Sequence, residues 1–296
     1  MPTKLWNWLG RLADTLDKRR IVILRRIAAA TALSRIESGT FGGGSPHWSL
    51  PYGEPQWVSI PPGEFWMGSG DQDPLAYNDE KPLHRVFVPE FQIARTLITN
   101  AQYALYVQAT GANAPRHWEN GQPPQGKLDH PVVSVSWYDA LDYCEWLSQM
   151  TEKDISLPSE AEWEKAARGI DGREYPWGND WQENHANTEE SRIGHASAVG
   201  CFPQGASPYA CQDMAGNVWE WTRSTHEPYL YPTDPKEQAK REDLHAGHDN
   251  DHMLRGGSAW ENREYAHCVL RLRTSWHGHD DYGFRLVVGP RLGSGL

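Results

Sequence analysis

The rhythm of hydrophobic and polar positions changes twice along this chain. Over residues 1–36, Leu5, Trp8, Leu9, Leu12 and Leu16 recur at the spacing of one helical face, and no proline follows Pro2. This pattern predicts an appended helix or helical hairpin that packs on the rest of the chain or on a partner. The alternative is a basic amphipathic segment at a membrane surface, although Asp14 and Asp17 interrupt its basic run. Residues 37–56, ESGTFGGGSPHWSLPYGEPQ, lose the periodicity and read as a Gly/Ser/Pro linker.

From Trp57 the period shortens. Trp57 to Gly68 is predicted as two short strands around the Pro61-Pro62-Gly63 turn, and Arg85 to Ile93 as a further strand. Three helix starts follow. Thr99 with Gln102 makes a capping box for a helix through Ala109, which Gly111 ends. Ser136, ahead of Asp139, opens a second helix through Met150. Ser159 with Glu162 opens a third, ended by Gly169. Short amphipathic helices of this kind flank a small sheet and do not form a bundle. Beyond residue 170 little regular structure is predicted, and loops of that length need metal, aromatic anchors or a partner to hold them. The chain has no internal repeat or low-complexity tract.

Composition narrows the picture. With 296 residues, 39% hydrophobic and 23% charged, the chain suits one large soluble domain or two small ones. Its 15 Trp, 12 Tyr, 27 Gly and 21 Pro favour short strands and ordered loops pinned by aromatic side chains. A net charge of -11 argues against nucleic acid as a partner, because phosphate binding needs a basic face. The one hydrophobic run, Ile21 to Leu33, is broken by Arg25 and Arg26 and is too short to span a bilayer. Cys144, Cys201, Cys211 and Cys268 form no CxxC pair and follow no secretory signal, so reduced thiols in the cytoplasm are expected.

Nine motifs then occur in order: FxMG at Phe65, Met67 and Gly68, DEKP at 79–82, TNAQY at 99–103, HPVVSVSW at 130–137, LPSEAEWEKAARG at 157–169, YPWGN at 175–179, DMAGNVWEW at 213–221, RGGSAW at 255–260 and GFR at 283–285. Together they resemble the formylglycine-generating enzyme/sulfatase-modifying factor family, over roughly residues 56–288. The resemblance implies an α+β, C-type-lectin-like fold with short strands, few helices and long ordered loops. The domain is placed at 57–290, after the helical segment 1–36 and the linker 37–56. Glycines in PWGN, AGN and RGGS suit positive φ and close backbone approach.

The resemblance also implies two structural calcium sites, since calcium takes six to eight oxygen ligands without strict geometry. One carries over to the side chains of Asp213 and Glu220 with the carbonyls of Gly216 and Val218. The other uses Asn187, the Thr188 carbonyl and Glu190, where the family's aspartate is replaced. The same residues can also cap turns without metal. His245, His248 and His252, with Asp249 and Asp251, have a spacing open to zinc or copper. The family has no such site, and a solvated loop is expected there, as for His277 and His279.

Catalysis in this family oxidises a substrate cysteine with Cu(I) held by two thiolates that follow RGGS, five residues apart. Here the first position holds Glu261, and the remaining cysteine, Cys268, is displaced by about two residues. Soft thiolates are what Cu(I) requires, so copper oxidase activity is not expected. The family's partner for Cys144, just after GFR, is Leu286, so that disulfide is not expected either. A sulfoxide-synthesising branch needs a histidine-rich iron site near the N-terminus, whereas residues 1–56 carry His47 alone. No nucleophile elbow, P-loop or dinucleotide fingerprint occurs. Asp280 and Asp281 are adjacent, so they point apart and are read as solvated.

The remaining use of such a domain is binding. In variable proteins of diversity-generating retroelements a similar domain displays side chains between RGGSW and GFR, much as antibody loops do. The candidate ligand surface is therefore Trp260, Glu261, Asn262, Arg263, Tyr265, His267, Leu270, Leu272, Thr274, Ser275, Trp276, His277, His279, Asp280, Asp281 and Tyr282. Its aromatics suit a contact face, or else complete the core. Three readings stand: a non-catalytic binding domain for a protein or small-molecule ligand, an oxidase with altered metal chemistry, and a scaffolding domain recruited through its N-terminal helices.

Overall fold

The computed structural model describes residues 47–289 except 74–75, 227–229, 243 and 245–249. The predicted helix over 1–36, the first part of the predicted linker, and His245, His248 and Asp249 lie outside the described residues.

Each predicted helix begins on its capping box. For α1 (Asn100–Thr110), Thr99 Oγ1 accepts from Gln102 N at 3.3 Å, Gln102 Oε1 accepts from Thr99 N at 3.0 Å, and Gly111 closes the last turn in the left-handed conformation. Ser136 and Asp139 make the same pair for α2 (Trp137–Thr151), and Ser159 and Glu162 for α3 (Glu160–Arg168). A fourth helix, α4 (Pro235–Arg241), has Asp234 as its cap and a proline in its first turn.

The strands are short: β1 (Trp48–Ser49), β2 (Glu54–Pro55), β3 (Trp57–Ile60), β4 (Gly63–Met67), β5 (His84–Val88), β6 (Phe91–Ala94), β7 (Ile155–Ser156), β8 (Trp219–Thr225), β9 (His252–Arg255), β10 (Arg271–Thr274), β11 (Tyr282–Gly283) and β12 (Val287–Val288). One sheet runs β3-β6-β12-β7, all antiparallel, so the last strand sits between early ones. The other runs β10-β9-β8-β11, with β11 parallel to β8. β1-β2 and β4-β5 are separate antiparallel pairs. The result is an α+β architecture in which the helices flank small sheets.

Three expectations change. The end of the predicted linker is the β1-β2 hairpin, held because Gln102 Nε2 donates to the Gly53 carbonyl at 2.7 Å. The single strand predicted over 85–93 is two strands, β5 and β6, with Pro89 between them. Proline has no N–H to continue a ladder. Beyond residue 170, where the sequence predicts little regular structure, the described residues form five strands and α4. All seven residues of β8 are buried, so its sequence carries no alternation to read.

Two cores position the loops. In one, Tyr103 stacks on Tyr143 with ring centroids 5.7 Å apart, and Phe284 of the GFR motif meets Tyr143 edge-on at 5.4 Å. In the other, Trp163 of α3 packs with Phe65, Val86, Ile93, Cys211 and Cys268. Every residue of α3 is buried, its charged ones included, because each finds a partner. Glu160 binds Arg271 Nε at 2.7 Å, Glu162 binds Arg223 Nη1 at 2.6 Å, and Glu164 binds Arg255 Nη2 at 2.5 Å. α3 therefore anchors β8, β9 and β10 at once. All four cysteines are free thiols, three of them buried. Among the described residues no helix is long and apolar enough to cross a membrane.

Candidate functional site

The site grows from the loop after β9. Arg255 is fully buried, and its guanidinium donates to the carbonyls of Cys268 at 3.0 Å and Val269 at 2.9 Å as well as to Glu164. Gly257 has φ +77, and a Cβ there would fall 2.2 Å from the Tyr265 carbonyl oxygen, so only glycine fits. This tight turn aims Ser258 at Glu261: the Ser258 N–H and Oγ donate to Glu261 Oε2 at 3.0 and 3.1 Å. Burial raises the Glu261 carboxyl above its ordinary range, opposed by hydrogen bonds from Trp219 and Ser258, and the nearby Asp281 charge raises it further. The backbone is tied as well, since Glu189 N–H donates to the Glu261 carbonyl at 2.8 Å.

Five residues on, at the second thiolate position, stands Ala266. It is buried with Tyr175, Ala186 and Ala215. Cys268 is in the other core beside Trp163 and Cys211, with 0% exposure, and burial pushes its thiol up to about 12. A carboxylate, a methyl group and a buried protonated thiol do not fit Cu(I). Among the described residues no group of three or more His, Cys, Asp or Glu is placed to hold a metal ion.

Both candidate calcium sets lie at one crossing of two loops. Residues 187 and 216 form a parallel bridge, and Asn217 N–H donates to the Asn187 carbonyl at 2.8 Å. A Cβ at Gly216 (φ +70) would fall 2.3 Å from that carbonyl oxygen. Glu220 does not fit a cation site. Its carboxylate takes Arg285 Nε at 2.5 Å, Arg285 Nη2 at 2.7 Å and Trp163 Nε1 at 2.9 Å, so its charge is already met. Asp213 accepts from Gly200 N–H at 2.7 Å, and burial pushes its carboxyl up to about 6. The Asn187 set fits calcium better. Asn187 Oδ1 accepts only from Ser191 Oγ, at 2.9 Å, and Glu190 joins it from the same turn, taking Thr188 Oγ1 at 2.7 Å and Arg263 N–H at 2.9 Å. Thr188 and Glu190 also line a cavity of about 300 Å³.

The predicted ligand surface divides. Trp260 is 48% exposed and Tyr265 37%, with Asn262 and Arg263 between them, and Tyr265 hydrogen-bonds Tyr77. Burial raises the Tyr282 hydroxyl, and the charges of Asp281 and Glu261 raise it further, so Glu261 lies within electrostatic reach of the far end of the window. Ser275, His277, His279 and Asp280 are exposed, with Thr274 and Asp281 half-buried. Asp280 and Asp281 are not merely solvated, because each carboxylate has its own partners. Asp280 accepts from Arg116 Nη2 at 2.7 Å and Ser134 Oγ at 2.8 Å, while Asp281 meets His279 Nδ1 at 2.6 Å.

His267 and Leu270 are not surface residues. His267 is 3% exposed, with Nε2 2.7 Å from the Tyr175 hydroxyl, and Leu270 belongs to the core beneath α2. Leu272, Trp276 and Tyr282 are half-buried and partly complete that core: Trp276 meets Tyr138 edge-on at 5.7 Å and Tyr282 meets Trp221 at 5.5 Å. The sequence reading missed Tyr77, Arg116 and Ser134 on this face. Ser134 lies in the HPVVSVSW motif, whereas nothing local marks Tyr77 or Arg116. His252, from the predicted histidine loop, is instead a fully buried β9 residue stacked on Trp137 at 3.9 Å.

Comparison with known proteins agrees with this geometry. The sulfatase-modifying factor enzyme 1-like domain matches residues 50–290. A formylglycine-generating enzyme of Streptomyces coelicolor is 32% identical, the match covering 80% of this chain and 90% of that one. An inactive Cα-formylglycine-generating enzyme 2 of Mus musculus is 33% identical over 59% of this chain and 70% of that one. The solved structure of Treponema denticola variable protein 1 superposes with a TM-score of 0.64 at 24% identity, covering 79% of this chain and 95% of that one, and has the same C-type-lectin-like fold. On its ordered motifs, its fold and the match over residues 50–290, the chain belongs to the sulfatase-modifying factor enzyme 1-like family, that of the formylglycine-generating enzymes.

Proposed function

We propose that this domain is a non-catalytic binding module, presenting the exposed part of residues 260–282 with Tyr77, Arg116 and Ser134 to a protein or small-molecule ligand. One observation carries the reading. Both positions where the family places its copper thiolates are filled by other side chains, Glu261 clasped by Ser258 and Trp219, and Ala266 packed in the core. The relationship to a mouse protein described as inactive supports it. The test is to incubate the purified chain with Cu(I), oxygen and a cysteine-containing peptide. No aldehyde product is expected, and turnover would overthrow the reading.

A finer form of the proposal is that the surface is diversified by a retroelement. Variation among isolates would then fall on exposed positions such as Trp260, Arg263, Ser275, His277 and His279. His267, Cys268, Leu270 and Arg271, which pack inward, would stay constant. Sequencing the coding segment and its neighbouring genes decides this: a reverse transcriptase gene with a near-repeat of the segment is expected. Variation spread evenly over buried and exposed codons would exclude diversification.

Calcium is proposed as a brace at Asn187, Thr188 and Glu190, where it would tie the 187–191 turn to the rest of the crossing. Stoichiometric binding, lost in Asn187→Ala, is expected by calorimetry. A reducing compartment is proposed from the four free thiols. The second reading, an oxidase with altered metal chemistry, is favoured by the 90% coverage of the Streptomyces enzyme. It requires copper uptake that disappears in Cys268→Ser.

A further inference from the structure

We propose that the outward face of the β4-β5 hairpin is a self-association surface, on which a second copy of this chain seats the same face about a two-fold axis. No residue of the segment 260–282 takes part, so the inference is independent of the role proposed for that segment.

The hairpin has two unlike faces. Phe65, Met67, Val86 and Val88 turn inward and are at most 4% exposed, in the core that holds Trp163 of α3. The other face carries Glu64 and Trp66 from β4 and Arg85 and Phe87 from β5, with Glu64 directly opposite Phe87 and Trp66 directly opposite Arg85. Phe87 is 52% exposed, Glu64 and Arg85 are exposed, and Trp66 is half-buried. A solvated face of an antiparallel pair is ordinarily polar, whereas two of these four side chains are large aromatics. Just after α3, Ile170 is 60% exposed. Two residues on, Gly172 lies against the hairpin, where a Cβ would fall 3.5 Å from that of Trp66. Exposed apolar side chains scattered singly need no explanation, but a cluster on one hairpin does.

Charge identifies the occupant. The Arg85 guanidinium lies over the Trp66 ring, 4.3 Å from its centroid, and has no carboxylate partner among the described residues. Glu64 has no cationic partner among them either. Each of the two faces an aromatic residue across the ladder, so within one chain they stand on a diagonal. Strand spacing and rise set the four positions at the corners of a rectangle of about 5 by 7 Å, with Trp66 and Phe87 on the other diagonal. A two-fold axis along that aromatic diagonal lays the face on its copy so that each Glu64 meets the Arg85 of the other chain. One pairing thus makes two equal ion pairs around an aromatic centre, the self-complementarity that an isologous dimer requires. Exposed ion pairs fix orientation more than they add affinity. The face is also small against the roughly 800 Å² per partner of a standard interface. The dimer is therefore weak, with a Kd on the order of 100 µM. It carries two copies of the segment 260–282 in one particle.

Sedimentation equilibrium of the full chain, over about 10 to 1,000 µM so as to bracket that Kd, tests the surface. The wild-type mass is expected to rise toward twice that of the monomer. Glu64→Arg sets arginine against arginine at both contacts, and Arg85→Glu sets glutamate against glutamate, so each variant alone should associate at least tenfold more weakly. Their equimolar mixture makes both contacts opposite in charge again. There the heterodimer should return to within about threefold of the wild-type Kd, which a folding defect in either variant would not allow. Phe87→Ala, at an exposed position, should also weaken association. A wild type that stays monomeric over the range, association indifferent to both charge reversals, or a mixture that stays monomeric would each overturn the proposal.

Discussion

Glu220 and Arg285 are both fully buried and hold one another through two hydrogen bonds. Removing one partner strands a charge in a low-dielectric interior, which costs about 3–5 kcal/mol. Arg285→Met is therefore expected to lower the unfolding free energy by that order in urea denaturation, with partial recovery in the double variant Glu220→Gln/Arg285→Met. Glu80 gives a different signature. It is 3% exposed, its Oε1 has no hydrogen-bond partner among the described residues, and burial pushes its carboxyl up to about 7. The folded chain thus holds this proton more tightly than the unfolded chain does. The stability it contributes is complete below the unfolded carboxylate range and is lost as pH rises through about 7. Glu80→Gln should raise the unfolding free energy at pH 8 by on the order of 2–3 kcal/mol and change little near pH 4, as denaturation at the two pH values would show.

At the level of elements, caps carry much of the local specification. Ser159 Oγ accepts from Glu162 N–H at 3.1 Å, and Ser159→Ala is expected to cost about 1 kcal/mol by thermal or chemical unfolding. Such caps are what made the three long helices legible in the sequence: Thr99, Ser136 and Ser159 each stand three residues before a side chain that returns the bond. Strands were harder to read. β8 is buried on both faces and shows no period of two, and α3 turns charged residues inward against partners scattered from Pro61 to Arg271. The site was legible to the same extent. Glu261 in place of a thiol and the exposed Trp260 follow from the window after RGGS. The burial of His267 and Leu270 does not, because it depends on Tyr175 and α2, about 92 residues or more distant in the chain. Arg116 and Tyr77 reach the surface from loops with no pattern of their own.

Across the whole molecule, thiol accessibility reports the integrity of both cores together. Cys144 lies in the core with Tyr103 and Tyr143, and Cys211 and Cys268 lie in that around Trp163, while Cys201 is exposed. A thiol reagent should titrate one cysteine rapidly in the native protein and four after denaturation. Rapid reaction of a second thiol would mean that one core opens on its own. The chain also closes on itself through β12, which lies between β6 and β7, and just before it the segment 260–282 is fastened at several points. β10 is registered on β9 and tied to α3 by Arg271, Ser134 N–H holds the His279 carbonyl, and β11 is registered on β8. Between such fixings the contour length is set while the outward side chains are not. This surface can therefore be rewritten in its letters without being rewritten in its length: exchanges at exposed positions leave the ladders in place, whereas a single inserted residue would slip β10 or β11 by one step and turn buried side chains outward.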